Sequence, residues 1–331
     1  MKETIYIFST GKLKRKDNTI FFENEEGKKK FIPIENTKEI FVFGEIELNS
    51  KILNLLSQKE IILHYFNYYD YYSGSFYPRE HYNSGYMILN QARAYDSHEK
   101  RTFLAKKFIE GAIKNTLKIM NYYQRRGRDL EKETKEISSL FQELEKSKNI
   151  ENAMRIEGKV KEIYFGSFNK IITNKDFKFT SRTRRPPKDR LNAIISFINS
   201  LIYTYVLSEI YQTHLDPRIG FLHSTNFRRF SLNLDVAEIF KVVIGDRLLF
   251  SLINRNEIKK KDFEKILNGI LLNDTGRKKI LQKIEERLKQ TVKYKKLNKS
   301  VSYRRLIRLE LYKLEKDLMG ESEYRPFVME W

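Results

Sequence analysis

Hydrophobic and polar positions follow two different patterns along the chain, and the change falls near residue 85. Before it, short β-branched and aromatic runs alternate with turn-forming residues, which is typical of strands. The predicted strands are 5–8, 19–22, 31–34, 39–43 and 61–65. A short helix is predicted at 49–58, where apolar residues recur at helical spacing.

After residue 85 a helical period dominates to the end of the chain. Ser97 or Asp96 is predicted to cap the main part of the first helix. The predicted helices are 87–124, 130–147, 150–172, 188–214, 233–253, 260–272, 275–292 and 300–319. We therefore expect an α+β protein with a small N-terminal β domain, residues 1–85, and a larger all-α C-terminal domain, residues 86–331.

Tyrosines crowd the segment 65–77, which lies at the end of the predicted β domain. Aromatic rings of this kind can stack on nucleic-acid bases. An edge strand or a contact between subunits is the favoured interpretation, because both also place tyrosines on a half-exposed surface.

Composition narrows the class of protein. Hydrophobic residues make up 40% of the 331, enough for real cores, and the absence of cysteine excludes disulfides and thiolate metal sites. The chain shows neither an uninterrupted apolar run of roughly 18 residues nor a secretory signal pattern at its start. A cytoplasmic protein is the simplest expectation.

Charge gives the first indication of a partner. Lysine and arginine number 63 against 43 acids, a net charge of +20. Such an excess repels itself unless a polyanion neutralises it, so nucleic acid is the favoured partner. A general enrichment in lysine without functional meaning is the alternative.

The most informative acids lie shortly after the segment Gly220-Phe221-Leu222-His223. Asp235 and Glu238 stand at i and i+3 in a strongly apolar stretch and therefore project from one helical face. A buried carboxylate is costly unless it is paired or binds a metal. Ion pairing is the alternative, with Arg228, Arg229 or Lys241 as partners.

A third acid, Glu157, precedes Gly158 inside a predicted helix. Glycine destabilises a helix interior by about 1 kcal/mol relative to alanine. Its presence therefore indicates close approach of a backbone or a ligand, although an exposed glutamate is the alternative. Carboxylates with one imidazole suit Mg²⁺ or Mn²⁺ better than Zn²⁺, which usually binds more histidines or cysteines.

Two basic segments are candidates for phosphate binding. Arg182, Arg184, Arg185 and Lys188 surround a Pro-Pro pair that marks a helix start, where free amides and the helix dipole attract anions. A solvated basic loop is the alternative. The segment 289–308 contains no acid and has the charge of a phosphate-binding helix or of an ordinary exposed one.

Taken together, these motifs resemble the family of CRISPR-associated protein one, the integrase of CRISPR adaptation. The matching segments, whose order and spacing are specific together, are 5–11, 34–44, 91–93, 157–158, 164–165, 184–187, 189, 192–193, 220–223, 231–238 and 324–327, near Trp331. The sequences Leu-His-Ser around His223 and Asp-Val-Ala-Glu-Ile-Phe-Lys from Asp235 are similar to those of the type I-B branch.

The resemblance implies an N-terminal β domain, a helical C-terminal domain and a homodimer. It places metal-binding positions at Glu157, His223 and Glu238, with Asp235 as a further acid near the metal. Lys241 stands where many relatives have arginine, which keeps the charge without the bidentate geometry. The implied partners are DNA, a small CRISPR-associated protein two and the CRISPR-associated protein four nuclease.

These observations predict a metal-dependent DNA endonuclease and integrase. Glu157, His223, Asp235 and Glu238 are the predicted catalytic residues with Mg²⁺ or Mn²⁺, and transfer occurs to the 3′-hydroxyl of a DNA fragment. The predicted DNA-binding residues are Arg182, Arg184, Arg185, Lys188 and Lys241. A non-catalytic DNA-binding scaffold is the main alternative, and a ribonuclease or RNA-binding protein is a further one.

Overall fold

The computed structural model describes residues 2–78, 82, 84–225, 230–294 and 297–330. The chain divides into two compact units, Met1–His81 and Tyr82–Trp331. The first unit is mainly β and the second is largely helical, as the pattern of hydrophobic and polar positions predicts.

The first unit contains two four-stranded sheets and one helix. In the first sheet, of order β1-β5-β7-β8, the first three strands run parallel and the last is antiparallel. The second sheet has the order β4-β3-β2-β6. The strands are β1 Glu3–Ile7, β2 Gly11–Lys16, β3 Thr19–Asn24, β4 Lys29–Ile32, β5 Thr37–Val42, β6 Ile46–Glu47, β7 Ile62–Phe66 and β8 Tyr72–Phe76.

Helix α1, Ser50–Gln58, begins where Asn49 caps it by accepting the N–H of Ile52. Its buried face joins the aliphatic core of the unit, in which Ile20, Ile40 and Leu56 have no exposed surface. Strand β8 stands last in its sheet, so the prediction of an edge strand in the tyrosine-rich segment is confirmed.

The second unit contains ten helices in the part of the chain that the structure describes. The first two are separated at Ser97, one of the two residues predicted to cap a helix. Helix α2 ends before Ser97, whose hydroxyl accepts the N–H of Lys100 and caps α3. The helices are α2 Gly85–Asp96, α3 His98–Gln124, α4 Glu131–Lys146, α5 Ile150–Gly166, α6 Phe168–Ile171, α7 Arg190–Ile210, α8 Leu232–Phe240, α9 Arg247–Asn254, α10 Asp274–Lys289 and α11 Tyr303–Leu318. A π-helical segment, Lys241–Asp246, joins α8 to α9.

The prediction of an all-α C-terminal domain was wrong in two places. The predicted helix 260–272 is mostly a hairpin of β9, Phe263–Ile266, and β10, Gly269–Leu272. A second hairpin, β11 Thr291–Tyr294 with β12 Lys299–Ser302, precedes α11.

Helix α7 forms the centre of the larger unit. It is long and apolar enough to cross a membrane by length and composition, but 83% of its apolar window is buried by the surrounding helices. The run of apolar residues is therefore explained by burial on all sides of a core helix.

Candidate active site

Two acids from different helices share one ammonium group. Glu157 lies on α5 and Glu238 on α8, and the ammonium of Lys161, one turn after Glu157, contacts the carboxylates of both. The distance from Lys161 Nζ to Glu238 Oε2 is 3.1 Å. Lys241 Nζ lies 2.6 Å from the other oxygen of Glu238. The ion-pairing alternative is therefore partly right, although Arg228 and Arg229 lie outside the described residues.

Electrostatics keep this cluster charged although Glu238 is buried. Burial alone would raise the pKa of the Glu238 carboxyl, but Lys161, Lys241 and His223 hold it well below its usual range. Burial would likewise lower the pKa of Lys161, but Glu238 and Glu157 raise it above its ordinary value. Glu238 and Lys161 thus both stay charged at neutral pH.

Asp235 has a different environment one turn earlier on α8. Its side chain is fully buried, and Oδ2 accepts the backbone N–H groups of Phe221 at 2.6 Å and Leu222 at 3.0 Å. Oδ1 accepts the N–H of His223 at 2.9 Å and lies 2.7 Å from its ring Nδ1. With these partners Asp235 fixes the loop before α8 and the orientation of the imidazole.

The His223 side chain is 21% exposed, and its Nδ1 lies 2.7 Å from Asp235 Oδ1. The ring is also close enough to Glu238 to lower the pKa of that carboxyl. Among the described residues, no three histidine or acidic side chains lie close enough together to hold a metal ion in this arrangement. The structure thus forms two pairs. Lys161 links Glu157 to Glu238, and His223 is hydrogen-bonded to Asp235.

A cavity of about 60 Å³ lies against the shared ammonium. A single water needs only roughly 15 Å³ of such space, so the cavity has room for a few waters or for an ion with part of its hydration shell. Polar lining comes from Glu157, Lys161, Asn199, Glu238, Lys241 and Asp246. Burial raises the pKa of the Asp246 carboxyl to about 7.

No other backbone approaches Gly158, because a Cβ atom there would meet no described atom within 4 Å; approach of a ligand stays a prediction. The close approach occurs at Gly220 instead. A Cβ at Gly220 would lie 2.8 Å from Asp235 Oδ2 and 2.9 Å from the backbone nitrogen of Leu232. Glycine is therefore required where the loop crosses Asp235.

Sequence reasoning missed the residue that anchors this loop. Gln91 on α2 is fully buried and donates to the backbone oxygens of Asp216 and Ile219, both at 3.1 Å. Its own oxygen accepts the N–H of Asp216 at 2.7 Å. The Gln-Ala-Arg motif at 91–93 was the available signal, but nothing in one sequence assigns it to a loop 125 residues away.

The first basic segment is only partly available for phosphate. Arg182 is half-buried and donates to Asn192 Oδ1 at 2.8 Å and to Ser196 Oγ at 3.0 Å, which attaches the segment to α7. The helix N-terminus is less open than expected, because the Asp189 carboxylate occupies one of its amides by accepting the N–H of Asn192. The exposed members are Arg184, Arg185 and Lys188.

The second basic segment, 289–308, is not one continuous helix. Arg304 and Arg308 donate to the two oxygens of buried Glu209, at 2.9 and 2.7 Å. These two arginines thus stabilise the contact of α11 with α7. Lys241, predicted to bind DNA, likewise contacts Glu238 and lies over the Tyr203 ring at 4.5 Å.

Solved structures share this architecture over the whole chain. A CAS1 protein from Thermotoga maritima matches with a TM-score of 0.88 and 45% identity, covering 98% of this chain and 100% of that one. A casposase bound to its integration product gives the same TM-score at 22% identity, covering 99% and 93%. At this identity, the similarity to the casposase shows a shared fold alone.

Sequence comparison defines the family. The family described as CRISPR associated protein Cas1 matches residues 5–286. The CRISPR-associated endonuclease Cas1 2 of Thermodesulfovibrio yellowstonii is 55% identical over 331 residues, the full length of both chains. The chain therefore belongs to the Cas1 family of CRISPR-associated proteins, which confirms the resemblance; the type I-B branch stays a prediction.

Proposed function

We propose that the chain is a divalent-metal-dependent DNA endonuclease and integrase. It inserts DNA fragments into a CRISPR array by transesterification, with a fragment's 3′-hydroxyl as the nucleophile. One observation carries the proposal: Glu157 and Glu238, from different helices, meet at a single cationic group beside a cavity. The relative named an endonuclease supports the nuclease activity, and the casposase of the same fold supports integration.

The donor set fits Mg²⁺ or Mn²⁺. Glu157, Glu238 and His223 offer carboxylate oxygens and one imidazole nitrogen, which these ions accept. A metal-binding histidine commonly has its other ring nitrogen hydrogen-bonded to a carboxylate, as Asp235 provides here. The ion would supply Lewis-acid polarisation of the scissile phosphate. Asp235 thus has an orienting role, and the three others would be the ligands.

The lysines have a separate role in the proposal. Lys241 remains charged because Glu238 raises its pKa despite burial. Its ammonium can therefore attract a phosphate that reaches the cavity. Lys161 keeps the two carboxylates close together when no other cation lies between them, which preserves the geometry of the site.

DNA would approach over the exposed residues Arg184, Arg185 and Lys188, aided by the net charge of +20. Binding should weaken steeply with salt, because each neutralised phosphate releases condensed counterions. The homodimer, the small CRISPR-associated protein two and the CRISPR-associated protein four nuclease remain proposed partners on the family resemblance.

The test compares Glu157→Gln, His223→Ala and Glu238→Gln with the unchanged protein. Cutting of branched DNA and strand transfer into a supercoiled array plasmid are measured in Mg²⁺ and Mn²⁺, with and without the small partner protein. Each variant should lose roughly a thousand-fold in rate, since a metal contributes several kcal/mol and each 1.36 kcal/mol is a factor of ten.

Glu162→Gln is the matched control, because Glu162 is an exposed glutamate on the same helix, α5. It should keep full activity. Unchanged cleavage in all three site variants would contradict the proposal, and salt-sensitive binding without any cleavage by the unchanged protein would favour the scaffold instead.

A further inference from the structure

The hairpin of β9 and β10 is attached to the basic segment. The backbone N–H of Ile270 donates to the carbonyl of Pro187 at 2.8 Å. A Cβ at Gly269 would lie 2.5 Å from the same carbonyl oxygen and 2.9 Å from Pro186 Cβ, so only glycine allows this contact. The hairpin and the exposed residues of the segment therefore form one surface.

The tip of this hairpin carries an exposed leucine. Leu267 and Asn268 form the two-residue turn between the strands, and Leu267 is 98% exposed, the highest value among the exposed large hydrophobic residues described. Turns favour glycine, proline, asparagine, aspartate and serine for conformational reasons. Leucine at this position contributes neither turn geometry nor burial to the folded chain.

The charge around this tip suits a polyanion. Arg184, Arg185 and Lys188 are exposed on the basic segment, and Lys265 is exposed on β9. A protein partner would need far more apolar area than one leucine offers, since specific interfaces bury about 800 Å² per partner. Nucleic acid fits better, because phosphates bind the cations while a single apolar side chain can contact a base.

The same surface connects to the candidate active site through α7. Arg182 binds Ser196 on this helix, and Asn199 lines the cavity with Glu157 and Glu238. Residues three apart on a helix are neighbours on its surface. The residue of α7 that holds the basic segment and the residue that lines the cavity are therefore about one helical turn apart.

We propose that Leu267 is a wedge that enters a base step of bound DNA and unstacks it beside the strand that reaches the cavity. Apolar side chains inserted between base steps are a known physical means of distorting duplexes, at a free-energy cost for each unstacked step. Cationic contacts from the basic segment would offset that cost. The choice of DNA rests on the proposed function.

The test uses duplex and branched DNA carrying 2-aminopurine, whose fluorescence rises when its base unstacks. Measurements are made in EDTA, so that no cleavage interferes. The unchanged protein should raise the fluorescence several-fold at one position. Leu267→Ser should abolish the rise while weakening binding less than about five-fold, and Leu267→Phe should retain it.

Leu297→Ser is the matched control, because Leu297 is an exposed leucine, 48%, near the end of the other hairpin. It should keep the fluorescence rise. An equal loss in both serine variants, or DNA binding by the unchanged protein without any rise at scanned positions, would overturn the wedge. Unchanged melting temperatures verify folding.

Glu238→Gln separates this inference from the proposed function. The variant should unstack DNA like the unchanged protein even though its cleavage is lost. Persistent cleavage in Glu238→Gln would contradict only the assigned metal site, whereas normal cleavage without unstacking would contradict only the wedge. Failure of the unchanged protein to bind DNA would contradict both.

Discussion

Helix α8 buries two carboxylates one turn apart, Asp235 and Glu238, and each is stabilised by different means. Asp235 is bound by three backbone N–H groups and an imidazole. Glu238 is bound by the ammonium groups of Lys161 and Lys241. Backbone donors cannot leave without unfolding the loop, whereas ammonium groups on flexible stems can exchange for another cation. Burial alone therefore does not identify a ligand; the mobility of its partners does.

The largest expected effect is on the stability conferred by Asp235. Asp235→Ala leaves three N–H groups and the ring of His223 without this acceptor, and each buried unsatisfied group costs about 1–3 kcal/mol. The free energy of unfolding should fall by about 5 kcal/mol, measured by urea denaturation. Asn233→Ala on the same helix is the control, with a loss of about 1 kcal/mol, because Asn233 makes one long bond of 3.3 Å to Tyr203. Equal losses of stability in Asp235→Ala and Asn233→Ala would contradict the special role of the backbone donors at Asp235.

A smaller effect concerns Asp246, a buried carboxyl that lines the cavity. Burial raises its pKa from 3.8 to about 7. An acid with a raised folded-state pKa contributes full stability below about pH 4 and loses it as pH rises to about 7, by at most about 4 kcal/mol. Asp246→Asn should flatten this part of the curve of unfolding free energy against pH. A wild-type slope retained in the variant would contradict the assignment.

The smallest effect tests directly whether the ammonium group beside Glu238 exchanges for a metal ion. Lys161→Met removes the cation shared by Glu157 and Glu238, so Mn²⁺ should bind about ten-fold more tightly, a gain of about 1.4 kcal/mol. Calorimetric titration measures this without any DNA. Lys159→Met, an exposed lysine on the same helix, should leave the affinity unchanged. Weaker Mn²⁺ binding in Lys161→Met would show that the lysine supports the site instead of competing for it.

Spacing predicted the contrast only in part. The i and i+3 positions of Asp235 and Glu238 correctly placed both on one helix, and the apolar neighbours correctly predicted their burial. Lys241 was named in the ion-pairing alternative. The other partners could not be predicted, because the backbone donors from 221–223 and Lys161 from α5 reach these acids only through tertiary packing. Long-range contacts of this kind leave no periodic signal.

Two errors in the predicted secondary structure arise because contacts with other segments override the local pattern. Apolar residues at 263, 266, 267, 270 and 271 follow helical spacing, but the segment forms a hairpin because Gly269 packs against Pro187. Strand β2 was missed because Leu13 is its one strongly apolar residue, and pairing with β3 and β6 determines its conformation.

Arg182 illustrates what charge cannot reveal. It was grouped with its neighbours as a phosphate ligand, but its guanidinium is hydrogen-bonded to Asn192 and Ser196. Arg184 and Arg185, two and three residues later, are exposed. A single sequence shows the number of cations in a segment but not which of them fold inward.

The π-helical turn at Lys241–Asp246 makes the length of this segment a constraint on the site. In an α-helix, residues five apart point about 140° away from each other. A π-turn closes its hydrogen bond between such residues and brings them to one side, and Lys241 and Asp246 both line the cavity. Loss of one residue here would restore ordinary winding and rotate Asp246 out of the cavity wall. The number of residues in this segment is thus constrained in addition to the identities of Lys241 and Asp246.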